Sequence, residues 1–154
     1  MTLLGIFFGG VYETVIVALR SVSAADTREA LRRELVLAMD RLTRELGAAY
    51  AVDAAEDQRC QFDARDIDGD GSDDPNINYH VSSGLQRTVG ALTLTLVPDL
   101  TALDFDYLDA TGATLTTPVG GGSLGAIRVV DITMTAARGT ESVSLTAAAD
   151  LRNR

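Results

Sequence analysis

The chain has 154 residues, of which 46% are apolar and 23% charged, values that fit one folded domain with an appendage and exclude wholesale disorder. The net charge is −9, and all of the excess lies beyond residue 50: residues 1–50 carry six Arg against six acids, and residues 51–154 carry seven Arg against sixteen. Such an acidic C-terminal part repels nucleic acid and anionic lipid, so no nucleic acid is expected to bind it.

Residues 3–12 read LLGIFFGGVY and are uncharged; Glu13 interrupts, TVIVAL follows, and Arg20 ends the run. The run is slightly short for a spanning helix, which needs about 20 apolar residues. It lacks the basic start and cleavage site of a signal peptide. Gly5, Gly9 and Gly10 cost helix stability in water and are better tolerated in lipid. Residues 1–20 are therefore expected to be part of a transmembrane helix whose upstream portion precedes this chain.

Residues 21–50 change to an amphipathic pattern. Leu31, Leu35, Ala38, Leu42, Leu46 and Ala49 recur at spacings of three and four and predict one packing stripe. Arg28, Glu29, Arg32, Arg33, Asp40, Arg41, Arg44 and Glu45 occupy the predicted polar face, with Glu29–Arg33 and Asp40–Arg44 as favourable i,i+4 pairs. No Pro interrupts residues 1–50, so a single rod is allowed. Its length points to a membrane span or a filament core rather than an ordinary globular helix.

Residues 51–154 predict a β-rich head. Candidate strands are residues 58–64, 77–81, 85–88, 91–97 (Leu92, Leu94 and Leu96 on one face), 103–107, 126–136 and 143–151, separated by Gly, Pro and Asp turns. Ile127 and Val129, with Ile132 and Met134, are placed in the sixth of these, and Pro118 with Gly120, Gly121 and Gly122 marks a flexible loop. With one cysteine no intrachain disulfide can form, and Cys60 reads as a small buried hydrophobe in a strand. The fold class expected is α+β: a long N-terminal helix whose distal half lies on an antiparallel sheet.

The one chemical motif is Asp66, Asp68, Asp70, Gly71, Asp73 and Asp74. Acids at alternate positions with a Gly at the sixth place resemble the first half of a calcium-binding EF-hand loop. Position twelve is Ile77 rather than Glu, and the competing reading is a solvated Asp-Gly turn between strands. Calcium is thus the one cofactor to which the motif points. His80, the single histidine, reads as an exposed strand residue. Asp104, Asp106 and Asp109 are explained by strand alternation, and no catalytic set is evident, so an enzyme is not expected.

The order of these features resembles the type IV pilin-like superfamily, and more narrowly its PilW-type minor pilins and the minor pseudopilin J of type II secretion. The resemblance is carried by the apolar segment running through Ala18-Leu19-Arg20 into residues 32–35 and 39–46. It continues in the Asp-Gly turn before Ile77-Asn78-Tyr79 and Leu85-Gln86-Arg87, in residues 103–112, and in residues 127–138 with Leu151-Arg152-Asn153. The family's basic leader and processing site are not in this sequence; Thr2-Leu3-Leu4 lacks the preceding Gly-Phe and the following acid. The resemblance implies a minor structural subunit of a type IV pilus or type II secretion filament, acting in assembly or initiation. Its partners would be other pilin or pseudopilin subunits. It would sit in a bacterial inner membrane as a single-pass protein with a periplasmic head, or in an assembled filament. The runner-up is a membrane-anchored periplasmic or extracellular acidic β-domain that binds calcium or acts as an adhesive module.

Overall fold

The structure, a computed structural model, describes residues 2–67 and 69–151, with side chains from residue 21 onward. A single helix, α1 (Thr2–Gly47), spans 46 residues, about 69 Å at 1.5 Å per residue. Among the described residues nine strands follow: β1 (Ala49–Glu56), β2 (Arg59–Ala64), β3 (Asp74–Ser82), β4 (Gly84–Val89), β5 (Leu92–Val97), β6 (Leu100–Leu108), β7 (Thr114–Leu115), β8 (Val129–Arg138) and β9 (Glu141–Asp150). The class is α+β, with one N-terminal helix and antiparallel sheets. Among the described residues no helix is long and apolar enough to cross a membrane. The membrane expectation for residues 1–20 concerns side chains outside the described residues.

One sheet is expected from the sequence; the strands form two. The first has five strands in the order β1-β2-β3-β4-β5, the second four in the order β7-β6-β8-β9. The chain changes sheet at Pro98-Asp99, between β5 and β6. Proline cannot donate a ladder hydrogen bond, which favours a break there.

The helical stripe predicts helix through Tyr50, but α1 stops at Gly47 and Ala49 begins β1. Glycine is a poor helix residue, and the Ala48 amide closes the last turn on the Arg44 and Glu45 carbonyls at 3.2 and 3.1 Å. Ala49 is fully buried, as its place on the stripe requires, but as a strand residue opposite Ala64. Strand β1 escapes sequence reading because AYAVDAAE is alanine-rich and its alternation is broken by two register shifts.

Leu31, Leu35, Ala38, Leu42 and Leu46 are all buried, as is Met39 between them. They pack on β8 and β9 of the second sheet and meet β5 and β2 of the first. Residues 21–30 of the helix contain no buried position. The inner face of the first sheet contributes Phe62, Ile77, Tyr79, Cys60 and Leu85; that of the second contributes Leu103, Phe105, Tyr107, Val130, Ile132 and Met134. Phe62 and Tyr79 stack with ring centroids 6.2 Å apart. The sheets are joined by the Tyr107 hydroxyl, which donates to the Glu56 and Arg59 carbonyls, and by the Phe105 amide, which bonds Asp57 O at 2.9 Å.

Two further expectations change. Ile127 is buried but precedes β8, whose inward set is Val130, Ile132, Met134 and Ala136. A 3-10 turn at Leu124–Ala126 and the Arg128 amide bonding Leu108 O shift the phase by one residue. The glycine-rich loop is anchored rather than free at one point: Val119 is buried and its amide bonds Ala55 O at 2.9 Å.

Removing the Leu42 side chain deletes a fully buried contact between helix and head. Leu42→Ala is expected to cost about 2–5 kcal/mol, read as a lower urea midpoint at unchanged slope. Gly84→Ala should destabilise as well, because φ is +102° there and a Cβ would overlap the Val97 carbonyl oxygen.

Candidate functional site

Two places bring chemistry-bearing side chains together: the acidic loop between β2 and β3, and the junction where the end of α1 meets the first sheet.

The loop runs over residues 65–73, closed by Ala64 pairing with Asp74. Gly69 and Gly71 sit at φ +83° and +88°, a left-handed geometry that glycine adopts without strain. Three of the described carboxylates each bond the loop's own backbone through one oxygen. Asp66 Oδ1 accepts from the Gly69 amide at 2.7 Å, Asp70 Oδ1 from the Ser72 amide at 2.7 Å, and Asp74 Oδ2 from the Ile67 amide at 2.8 Å. Just outside, Asp63 Oδ1 accepts from the Asn76 amide at 2.7 Å, and Asn76 itself has φ +59°. The Asp66 and Asp70 bonds are local Asx-type caps, and those of Asp74 and Asp63 tie the two sides of the loop together. Asp73 is exposed and lies near Tyr50, whose phenol is pushed up by desolvation first and then by Asp63, Asp73 and Asp53. Asp68 lies outside the described residues. Among those described, no group of three or more His, Cys, Asp or Glu is arranged to hold a metal ion.

The junction is the site that sequence reading misses. Glu45, assigned there to the polar face, is 1% exposed. Its Oε1 accepts from Arg41 Nε at 2.9 Å, and its Oε2 accepts from Arg87 Nε and from the Tyr79 hydroxyl, each at 2.8 Å. A buried carboxylate is costly unless paired and hydrogen-bonded; here three donors from α1, β3 and β4 converge on it. Tyr79 is pushed well above the usual phenol range, first by burial and then by the Glu45 charge and hydrogen bond. Burial works against the Arg87 guanidinium, but its bond and charge interaction with Glu45 outweigh it and raise it. A signal was available. Glu45 stands seven residues after Ala38 and three after Leu42, which puts it on the buried stripe by helical spacing.

The other expected residues fall as follows. Cys60 is buried in β2, against the Tyr107 hydroxyl. His80 is only partly exposed, and its Nδ1 is buried with no protein hydrogen-bond partner; neighbouring strands flank it with Arg59 and Gln86. Asp104 and Asp106 are exposed on β6, with Asp106 directly opposite Asp131 of β8. Asp109 is held below the usual carboxylate range by the Thr111 hydroxyl and by the backbone amides of the turn it caps. An open groove of about 840 Å³ separates the uncovered part of α1 from the β8–β9 hairpin, with Ala24, Ala25, Arg28, Val143 and Leu145 on its walls. None of these sets pairs a nucleophile with a base.

Compared with family models and with curated proteins, the chain matches none.

Glu45→Leu should cost about 3–5 kcal/mol, because Arg87 is left buried without its counter-charge. The double replacement Glu45→Leu with Arg87→Leu should recover most of the loss, a coupling read by a double-mutant cycle in urea. A second expectation concerns alkali. Tyr79 and Tyr107 both have raised phenol values in the folded protein, so their contribution is complete below the unfolded value near 10. It is lost as pH rises above 10, by up to about 1.4 kcal/mol per pH unit for each tyrosine. Urea titrations between pH 8 and pH 11 should show this decline, and Tyr107→Phe should make it shallower.

Proposed function

We propose that the protein is a minor structural subunit of a type IV pilus-like or type II secretion filament, and that its work is assembly rather than catalysis. The observation that carries this reading is the single helix Thr2–Gly47, which the head clamps over residues 31–46 while residues 21–30 stay unburied. A helix of this length with residues 21–30 uncovered is wasteful in a free-standing globule, where helices average three turns or so. It makes sense as an element that other subunits or a bilayer complete. Val22, Val36 and Leu37 are exposed on its outer side, Leu37 at 66%. Large apolar side chains left in water along one rod favour helix packing with neighbours. The head then serves to hold the helix end rigid through Glu45 and to present loops outward.

The test is genetic and biochemical. Deleting the gene in the producing cell should abolish or shorten surface filaments, or block secretion of exported proteins, and the tagged protein should copurify with sheared filaments or the secretion machinery. Leu37→Arg should reduce that assembly several-fold while leaving the melting temperature of the protein within about 2 °C, since exposed positions change stability little. Normal filaments and normal secretion in the deletion strain would overturn the reading.

The acidic loop favours one competing role, an anchored calcium-binding β-domain, through the glycine geometry at residues 69 and 71 and the carboxylates of residues 66–74. In that case millimolar calcium should raise the melting temperature of the protein, and Asp66→Ala with Asp70→Ala should remove the rise. An unchanged melting temperature with calcium excludes it.

A further inference from the structure

The end of α1, the β4–β5 hairpin and the acidic loop frame a cavity of about 500 Å³, a size that holds small organic ligands. Three arginines line it: Arg41 and Arg44 from the helix and Arg87 from β4. The acids in the lining are Glu45 and Asp74, and the rest is apolar: Ile67, Val89 and Leu92. The lining thus carries three positive charges against two negative, in a chain whose net charge is −9.

The acids are already engaged. Glu45 accepts from Arg41, Arg87 and Tyr79, and Asp74 Oδ2 accepts from the Ile67 amide. The arginines have donors in reserve. Arg41 and Arg87 each reach Glu45 through Nε, and a guanidinium carries more N–H groups than one carboxylate oxygen uses. Arg87 is only 12% exposed and still borders the cavity. A ligand there meets a charge largely screened from water, where an ion pair is stronger than at the surface. Arg44 is held loosely. Its Nη2 lies 3.3 Å from Asp40, and the two side chains are 68% and 72% exposed. A pair of this kind contributes little and yields to a better acceptor.

The apolar side continues beyond the cavity. Leu92 is registered opposite Val89 and Leu94 opposite Arg87. Leu92 and Leu94 therefore extend the inner face of the first sheet past the part that α1 covers, and they are 73% and 46% exposed. Arginine donors and an apolar wall thus lie side by side.

We propose that this cavity binds a small organic acid, a monocarboxylate with an aliphatic or aromatic tail. The carboxylate takes the donors left on Arg41, Arg44 and Arg87, in the planar geometry that guanidinium and carboxylate share. The tail covers Ile67, Val89 and Leu92 and removes apolar surface from water. A single negative charge cancels the excess of the lining. A phosphate dianion overshoots it, faces Glu45 and Asp74 with a charge unbalanced, and leaves the apolar wall bare. The cavity's chemistry does not depend on the filament reading.

The test uses the full chain, isotope-labelled, in mild detergent. Phenylpropionate is titrated while the arginine Nε–H signals and the Ile67, Val89 and Leu92 amide signals are followed by NMR. These signals should move together and saturate, with a dissociation constant below about 1 mM. Phenylpropionamide has the tail without the charge and enters micelles at least as readily; it should bind at least about tenfold more weakly. Acetate and inorganic phosphate, which have charge without a tail, should be as weak as the amide. Arg44→Gln and Leu92→Ser should each weaken phenylpropionate at least about threefold. Without ligand both variants should melt within about 2 °C of the parent, because both positions are exposed. The absence of saturable shifts with phenylpropionate overturns the proposal. So does an amide that binds as tightly as the acid, phosphate that binds more tightly, or an Arg44→Gln variant of unchanged affinity.

Discussion

The carboxylate of Glu45 is the point on which the architecture turns. The helix α1 and the distant hairpin β3–β4 deliver three donors to one buried group. Burying an acid brings no stability in itself; the bond set mainly prevents a large penalty. Its value is positional. Leucine contacts along the stripe tolerate sliding by a fraction of a turn, whereas one carboxylate oxygen answered by Arg87 and Tyr79 of the sheet fixes the rotation and the height of the helix end, and Arg41 of the same helix satisfies the other oxygen. The leucines supply most of the burial, and Glu45 supplies the register.

That register decides what the rest of the helix can do. Among the residues whose side chains are described, Leu31 is the first buried position, and residues 21–30 are oriented by the head without being buried in it. The ion cluster at Arg138, which bonds Asp99 at 2.7 Å and Glu34 at 3.1 Å, ties the helix a second time, three turns above Glu45 and at the surface. Exposed pairs of this kind contribute little energy, yet they mark where the strand crossover at Asp99 meets the rod. The head is thus a two-point grip on a long lever, and exposed Val22, Val36 and Leu37 lie along that lever's free side.

Legibility in the sequence followed the strength of local periodicity. The stripe of Leu31, Leu35, Ala38, Leu42 and Leu46 and the alternation of Leu103, Phe105 and Tyr107 could be read because each residue repeats a choice its neighbours make. Strand β1 could not, since alanine favours helix and its alternation is interrupted. The phase of β8 was hidden by a turn that no local signal marks. The acidic loop was visible as a motif, but not that Asp66, Asp70 and Asp74 each bond its backbone, a use of Asp that spacing does not separate from ligation. Glu45 was read by its charge rather than by its position on the wheel.

The sequence by itself determined a proline-free helix, its apolar stripe, the acid excess of the head and most of the strands, because these follow from propensity, periodicity and composition within short windows. Only the tertiary structure decided the division into two sheets, the burial of Glu45 and the bare inner face at Leu92 and Leu94. Each of these depends on which distant surface covers a residue. A chain encodes coverage jointly across many positions, so no single window contains it.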